Sequence, residues 1–186
     1  MSNAIPEGVC NFLKGRNLLL EECLIEEYRH KCTHEGEEIR NVAKRLFFER
    51  IVPYYEKNNL LINNSLFFPI SEALKNANFH GSSSLEEVQS TLFLSRKALI
   101  WGLNDGGPYF KRPEVKKYWE NREAFPEKHV CTENIKELNL PKWGYGVGTS
   151  AIYDNTDWIH IDNCSGTLYL GFFVPGNFFR ELSENR

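Results

Sequence analysis

The sequence predicts a domain of the α+β class. Two long stretches space their apolar residues as helices do, "STLFLSRKALIWGLND" alternates as a β-hairpin does, and two further strand-like runs follow near the C-terminus. At 186 residues the chain is long enough to bury one sizeable core, and no segment suggests a second domain.

The first helix is expected from Glu37 to about Tyr55. There Ile39, Val42, Ala43, Leu46, Phe47, Arg50 and Ile51 recur at three-to-four spacing, and Pro53 should end the pattern. After the polar turn "EKNN", a second helix is expected from about Asn64 to Phe79, with Ile70, Ala73, Leu74 and Ala77 on one face; Pro69 kinks it or marks a restart. Gly81 suits a left-handed cap to that helix, and the serines after it suit a loop. The hairpin divides at Arg96-Lys97, and "DWIHID" and "TLYLGFFV" are two more strands joined by "NCSG". "NLLLEECLIEEY" fits helical and strand spacings alike, so its type stays open. Residues 1–36 are therefore an N-terminal segment packed on, or extending, a domain that occupies 37–186.

Residues 106–143 are charged and poor in periodicity, apart from a short helix expected around Val115–Glu120. A loop of that length in a compact domain is usually a lid or a binding loop.

Composition removes several classes of function. Hydrophobic residues at 41%, charged at 25% and aromatic at 13% are ordinary for a globular protein and argue against disorder. A net charge of −3 offers no basic footprint for nucleic acid. Apolar runs such as Leu66–Ile70 fall far short of the roughly 20 residues that span a bilayer, and no basic start leads into an apolar signal core, so no membrane partner and a cytosolic location are expected. Five cysteines (Cys10, Cys23, Cys32, Cys131, Cys164) at irregular spacing, without Cys-x-x-Cys, indicate reduced, mostly buried thiols.

On a helix, Glu72, Asn76 and His80 of "ISEALKNANFHG" fall on one polar stripe, which by itself describes a solvated face. "LNDGGPYF" presents Asp105 at the end of an apolar strand, followed by glycines that let a ligand approach the backbone. "GYGVGTSAIY" sets Gly144, Gly146 and Gly148 at alternate positions before a helix start, where bare N–H groups suit phosphate. No P-loop motif exists, and the alternate glycines do not follow a strand of a βαβ unit as a dinucleotide fingerprint requires. His34-Glu35 lies too close to Asn76 for a phosphoacceptor hairpin to fit between them. His30-x-Cys32-x-His34 lacks a fourth zinc ligand nearby, and His160 suits a strand face better than a catalytic role.

Taken in order, Glu72-x-x-x-Asn76, Asp105-x-Gly107, Gly144-x-Gly146-x-Gly148 and Gly166-Thr167 form a set that resembles the GHKL, or Bergerat-fold, ATPases: gyrase, heat-shock chaperone, histidine kinase and mismatch-repair ATPase. Within that superfamily "SEALKNANFHG" is most similar to the bacterial anti-sigma-factor serine kinases, and the likeness covers residues 37 to 174.

The resemblance implies a two-layer α/β sandwich, with helices on one face of a mixed, mainly antiparallel sheet. ATP lies between the layers, beneath a lid at about 108–148. It implies that Asn76 helps hold Mg²⁺ and that Glu72 orients or deprotonates the attacking hydroxyl or water. Asp105 would accept from the adenine amino group, Gly107 would admit the base, and Thr167 would support Asp105 or a water near the ring. Gly144, Gly146 and Gly148 would carry lid backbone onto the phosphates.

The expected function is thus serine/threonine phosphoryl transfer to a regulatory protein partner, or slow ATP hydrolysis. Related domains often dimerise, so a homodimer belongs to the same expectation. The sequence departs from the family where Tyr109 replaces a glycine common in the adenine box, and in its long lid. Those departures motivate a second reading, a nucleotide-sensing or protein-binding module without catalysis.

Overall fold

The computed structural model of the chain describes residues 7–15, 24–31, 36–80, 87–120, 147–174 and 179–181. Within them the alternating stretches form one antiparallel sheet and the helical patterns cover one of its faces, giving an α+β fold of two layers.

The N-terminal helix α1 spans Glu7–Gly15, and the described end of the open segment lies in strand β1, Leu24–Lys31, while residues 17–23 fall outside the described residues. The first long helix runs from Gly36 to Lys57 in three parts: α2 (Gly36–Lys44), a π-helical stretch (Arg45–Ile51) and α3 (Val52–Lys57). Pro53 therefore does not end the helix. The π stretch widens the ladder, so that Val52 N–H donates to the Phe47 carbonyl five residues back, and Pro53 falls in the first turn of a renewed α-helix, where its missing N–H costs little. Arg50, grouped with the apolar face by spacing, is exposed, whereas Leu46, Phe47 and Ile51 are buried.

Asn59, at φ 60, turns the chain into the short strand β2 (Leu60–Ile62), a left-handed conformation that asparagine tolerates better than most residues. Asn63 caps the next turn by accepting from Ser65 N–H, and Asn64–Leu66 leads into helix α4, Phe67–His80. Pro69 sits in the first turn of α4, where a proline restarts a helix without breaking it.

The expected hairpin is strand β3 (Glu87–Leu94) and strand β4 (Ala98–Asn104), turning at Ser95, whose Oγ accepts from the N–H groups of Lys97 and Ala98. After a 3₁₀ turn at Tyr109–Lys111 come α5 (Pro113–Glu120), α6 (Val147–Asp154), β5 (Trp158–Asp162), β6 (Thr167–Phe173) and β7 (Phe179–Glu181).

The main sheet has the order β1-β3-β4-β6-β5, and β2 pairs with β7 in a separate two-stranded sheet. Every described pair is antiparallel, so the mixed pairing implied by the resemblance is not seen among these residues. β1 makes the N-terminal segment part of the sheet.

Leu92, Leu99, Trp101, Leu103, Leu168, Leu170 and Phe172 point from the sheet into the main core, against Leu46, Phe47 and Ile51 of the long helix and Ile70, Leu74 and Ala77 of α4. The opposite face is smaller: Phe93, Ile100 and Tyr169 meet Val9 of α1. There two glycines let aromatic rings lie on the sheet. A Cβ on Gly102 would stand 2.7 Å from Tyr169 Cε1, and one on Gly171 would stand 2.9 Å from Trp158 Cε3.

No helix among the described residues is long and apolar enough to cross a membrane. Cys164 is exposed, contrary to the expectation of buried thiols.

Because Tyr169 is only 6% exposed, its ring has little freedom to withdraw. Gly102→Ala should therefore lower stability by about 1–3 kcal/mol, the usual cost of overpacking. A thermal melt should show a drop of roughly 2–4 °C per kcal/mol, and combining the change with Tyr169→Ala should cost less than the sum of the two single changes.

Candidate functional site

Parity along β4 decides which side chains can share a site. Leu99, Trp101 and Leu103 face the helices, Ile100 faces away, and Asp105 follows directly on the end of the strand at Asn104. Asp105 is 5% exposed. Its carboxylate accepts from Gly107 N–H at 2.8 Å and forms no ion pair among the described residues. Burial pushes its pKa above 3.8, against the opposing pull of hydrogen bonds from the Gly107 and Asp105 N–H groups and of the Lys111 charge.

The turn between β5 and β6 closes the same corner. Gly166 adopts φ +75, and a Cβ there would stand 3.1 Å from both Cγ and Cε of Lys111 and 3.6 Å from the Gly107 carbonyl oxygen. Asp162 organises this turn: its carboxylate accepts from Cys164 N–H and Ser165 Oγ–H, and its carbonyl accepts from Gly166 N–H. Asn163 Nδ2 donates to the carbonyls of Phe110 (2.7 Å) and Arg112 (3.0 Å), fastening the 3₁₀ turn on both sides of Lys111.

Thr167 does not support Asp105 directly. It is the register partner of Asn104, not of Asp105. Its Oγ1 accepts from Asn104 Nδ2 at 3.2 Å and lies 2.8 Å from Ser165 Oγ, on the Tyr169 side of the sheet. No hydrogen bond joins it to Asp105 among the described residues. Thr167 ties the end of β4 to the turn instead. Tyr169, on the same face, has its hydroxyl pKa pushed up to about 12 by burial and by the nearby Asp162 charge, against a hydrogen bond with Thr167.

α4 packs between α2 and α6 and against β4. Glu72 and Asn76 are half-buried on it, beside the buried Ala73 and Ala77. Asn76 makes no hydrogen bond to another described residue, which leaves its amide oxygen available to a hard cation. Glu72 accepts a hydrogen bond from Lys75 Nζ in an i,i+3 ion pair whose side chains are 16% and 41% exposed. A pair of this kind is worth about 0.5 kcal/mol or less, so it neutralises Glu72 at rest without locking it.

Gly148 lies in the first turn of α6, whereas Gly144 and Gly146 fall outside the described residues, as do Cys32 and His34. Under the helices, Ser90 Oγ and Trp101 Nε1 are buried without a partner among the described residues. They lie on the helix side of neighbouring strands, in the register that pairs Ser90 with Leu103 and Leu92 with Trp101.

The structure thus brings Asp105, Gly107 and Gly166 to one corner and keeps Asn76 and Glu72 together on the helix packed against β4. Sequence reasoning missed Lys111, Asn163 and Lys75. An Asn in a tight turn and a cation six residues beyond Asp105 were the available signals. No family model matches the chain, and a search of curated proteins returns no match.

Raising a carboxyl pKa on folding means that the folded state binds the proton more tightly than the unfolded chain does. The resulting penalty is absent below 3.8 and fully present above the folded pKa. Asp105→Asn should therefore melt higher than wild type at pH 7, and that advantage should shrink as the pH falls toward 3.8. Melting curves of both proteins across that range check it.

Proposed function

We propose that the domain is a cytosolic Mg-ATP-binding regulator of the GHKL type that acts on a protein partner. The observation that carries this reading is Asp105, a buried, desolvated carboxylate without an ion pair among the described residues. Such a group costs stability and earns its place by accepting from a donor such as an exocyclic amine. Gly107, which follows Asp105 by two residues and carries no side chain, supports a flat base in that position. The unpartnered Ser90 and Trp101 atoms beneath the helices support a polar ligand or ordered water between the layers.

Asn76, with its amide oxygen uncommitted, fits a magnesium ligand, and the ion would neutralise phosphate charge when bound. In the catalytic form of the reading, Glu72 leaves Lys75 and takes the proton of a serine or threonine hydroxyl as the γ-phosphoryl group passes to it. The N–H groups at the start of α6, around Gly148, suit phosphate, and the alternate glycines Gly144 and Gly146 that precede them in the sequence fit the same role. Slow hydrolysis replaces the hydroxyl by water and uses the same groups.

One observation favours a second reading. The resting Glu72 is already neutralised by Lys75, which suits a module that senses nucleotide without turning it over.

Mg-ATP at a hundredfold above its dissociation constant should stabilise the protein by about 2.7 kcal/mol, or roughly 5–10 °C in a domain of this size. Asn76→Ala should lose the magnesium-dependent part of that shift. Turnover abolished in Glu72→Ala with binding kept supports catalysis; equal traces of turnover in both proteins support the sensor; no shift at millimolar Mg-ATP removes both readings.

A further inference from the structure

We propose that Lys111 is a second base-recognition residue of this site, a donor held beside the Asp105 acceptor so that the two together read the amino edge of adenine. The inference rests on the ATP reading above and assigns the base edge that reading leaves open.

Three observations place Lys111. Its side chain is exposed but passes over the α-carbon of Gly166, with Cγ and Cε 3.1 Å from where a Cβ would stand, so its stem follows the turn. The backbone on both sides of it is fastened by one amide, Asn163 Nδ2, through the carbonyls of Phe110 and Arg112. Its charge acts on the Asp105 carboxylate, yet no ion pair joins the two, so the ammonium keeps its donors and the carboxylate its remaining acceptor sites.

An exposed lysine ordinarily keeps its rotamer freedom. Here the backbone that carries Lys111 is fastened by Asn163 and the stem packs on Gly166, which lowers the entropic cost of using it in binding.

The pair matches one base better than the other. Adenine presents an amino donor beside a ring-nitrogen acceptor, N1 or N7, so Asp105 accepts from the amine while Lys111 donates to the nitrogen. Guanine places the O6 acceptor where adenine has its amine, and that oxygen faces the carboxylate with like polarity. Asp105 thus rejects guanine, and Lys111 strengthens the hold on adenine.

The test compares ATP, 1-deaza-ATP, 7-deaza-ATP and GTP on the full chain, for wild type, Lys111→Met, Lys111→Arg and Asp105→Ala, with melting curves to show that each variant is folded. A charge-assisted hydrogen bond predicts that wild type loses about tenfold or more in affinity on one deaza analogue. Lys111→Met should bind ATP weaker by a similar factor and be indifferent to that replacement, and Lys111→Arg should recover part of the loss. Equal ATP affinity in wild type and Lys111→Met, or a deaza penalty that persists unchanged in Lys111→Met, overturns the role of Lys111. If Asp105→Ala weakens ATP binding in the same series, the ATP reading stands without it. A wild type that binds no ATP overturns both.

Discussion

The pairing of β4 with β6 is the constraint on which the rest of the structure depends. Its register sets Asn104 opposite Thr167, which sends those two side chains to one face of the sheet and leaves Leu103 on the other, beneath the helices, with the buried Asp105 just past the strand end. The same ladder brings Gly166 beside the Asp105–Gly107 turn, because the residue before β6 must meet the residues that follow β4. A slip of one residue along β4 would carry Leu103 out of the core and bring Asn104 in. The buried apolar side chains on both strands, Leu99 and Leu103 against Phe172 and Leu168, oppose that slip.

Around this ladder the two faces are built differently. The helix side is filled by large aliphatic and aromatic side chains. The other side is thin, with Tyr169 and Trp158 laid flat over Gly102 and Gly171 and α1 contributing Val9. The sheet can therefore be rigid at its centre while its open end carries polar turns. Those turns are self-organised: Asp162 closes one, Asn163 binds it to the segment after β4, and Asn104 and Thr167 stitch the strand ends together. A carboxylate without an ion pair can persist there because its neighbours are held by bonds of their own.

Much of this was legible in the sequence. Apolar spacing located α4 and the helix from Gly36, and alternation located β3, β4, β5 and β6, because a half-buried face imposes its period on the chain. Pro53 misled because a proline rule assumes an α-helical ladder, and the π stretch before it changes which carbonyl is freed. β1 was ambiguous because "LIEEYRHK" owes its strand state to its partner β3, a contact no local pattern encodes. β2 and β7 are three-residue strands, too short for a period to show. At the site, Asp105, Gly107 and the α4 stripe were visible as motifs. The face taken by Thr167, the engagement of Glu72 by Lys75 and the fastening of Lys111 by Asn163 were not, because each depends on register or on which side chains share a turn.

The central claim is that the buried Asp105 exists to hold the amine of a nucleotide base. Calorimetric titration with ATP and magnesium, run on wild type and on Asp105→Ala, tests it most directly. The account predicts saturable binding by wild type and a loss of about tenfold or more in the variant, the scale of a charge-assisted hydrogen bond. Equal binding by the two proteins, or no binding by wild type, would contradict it.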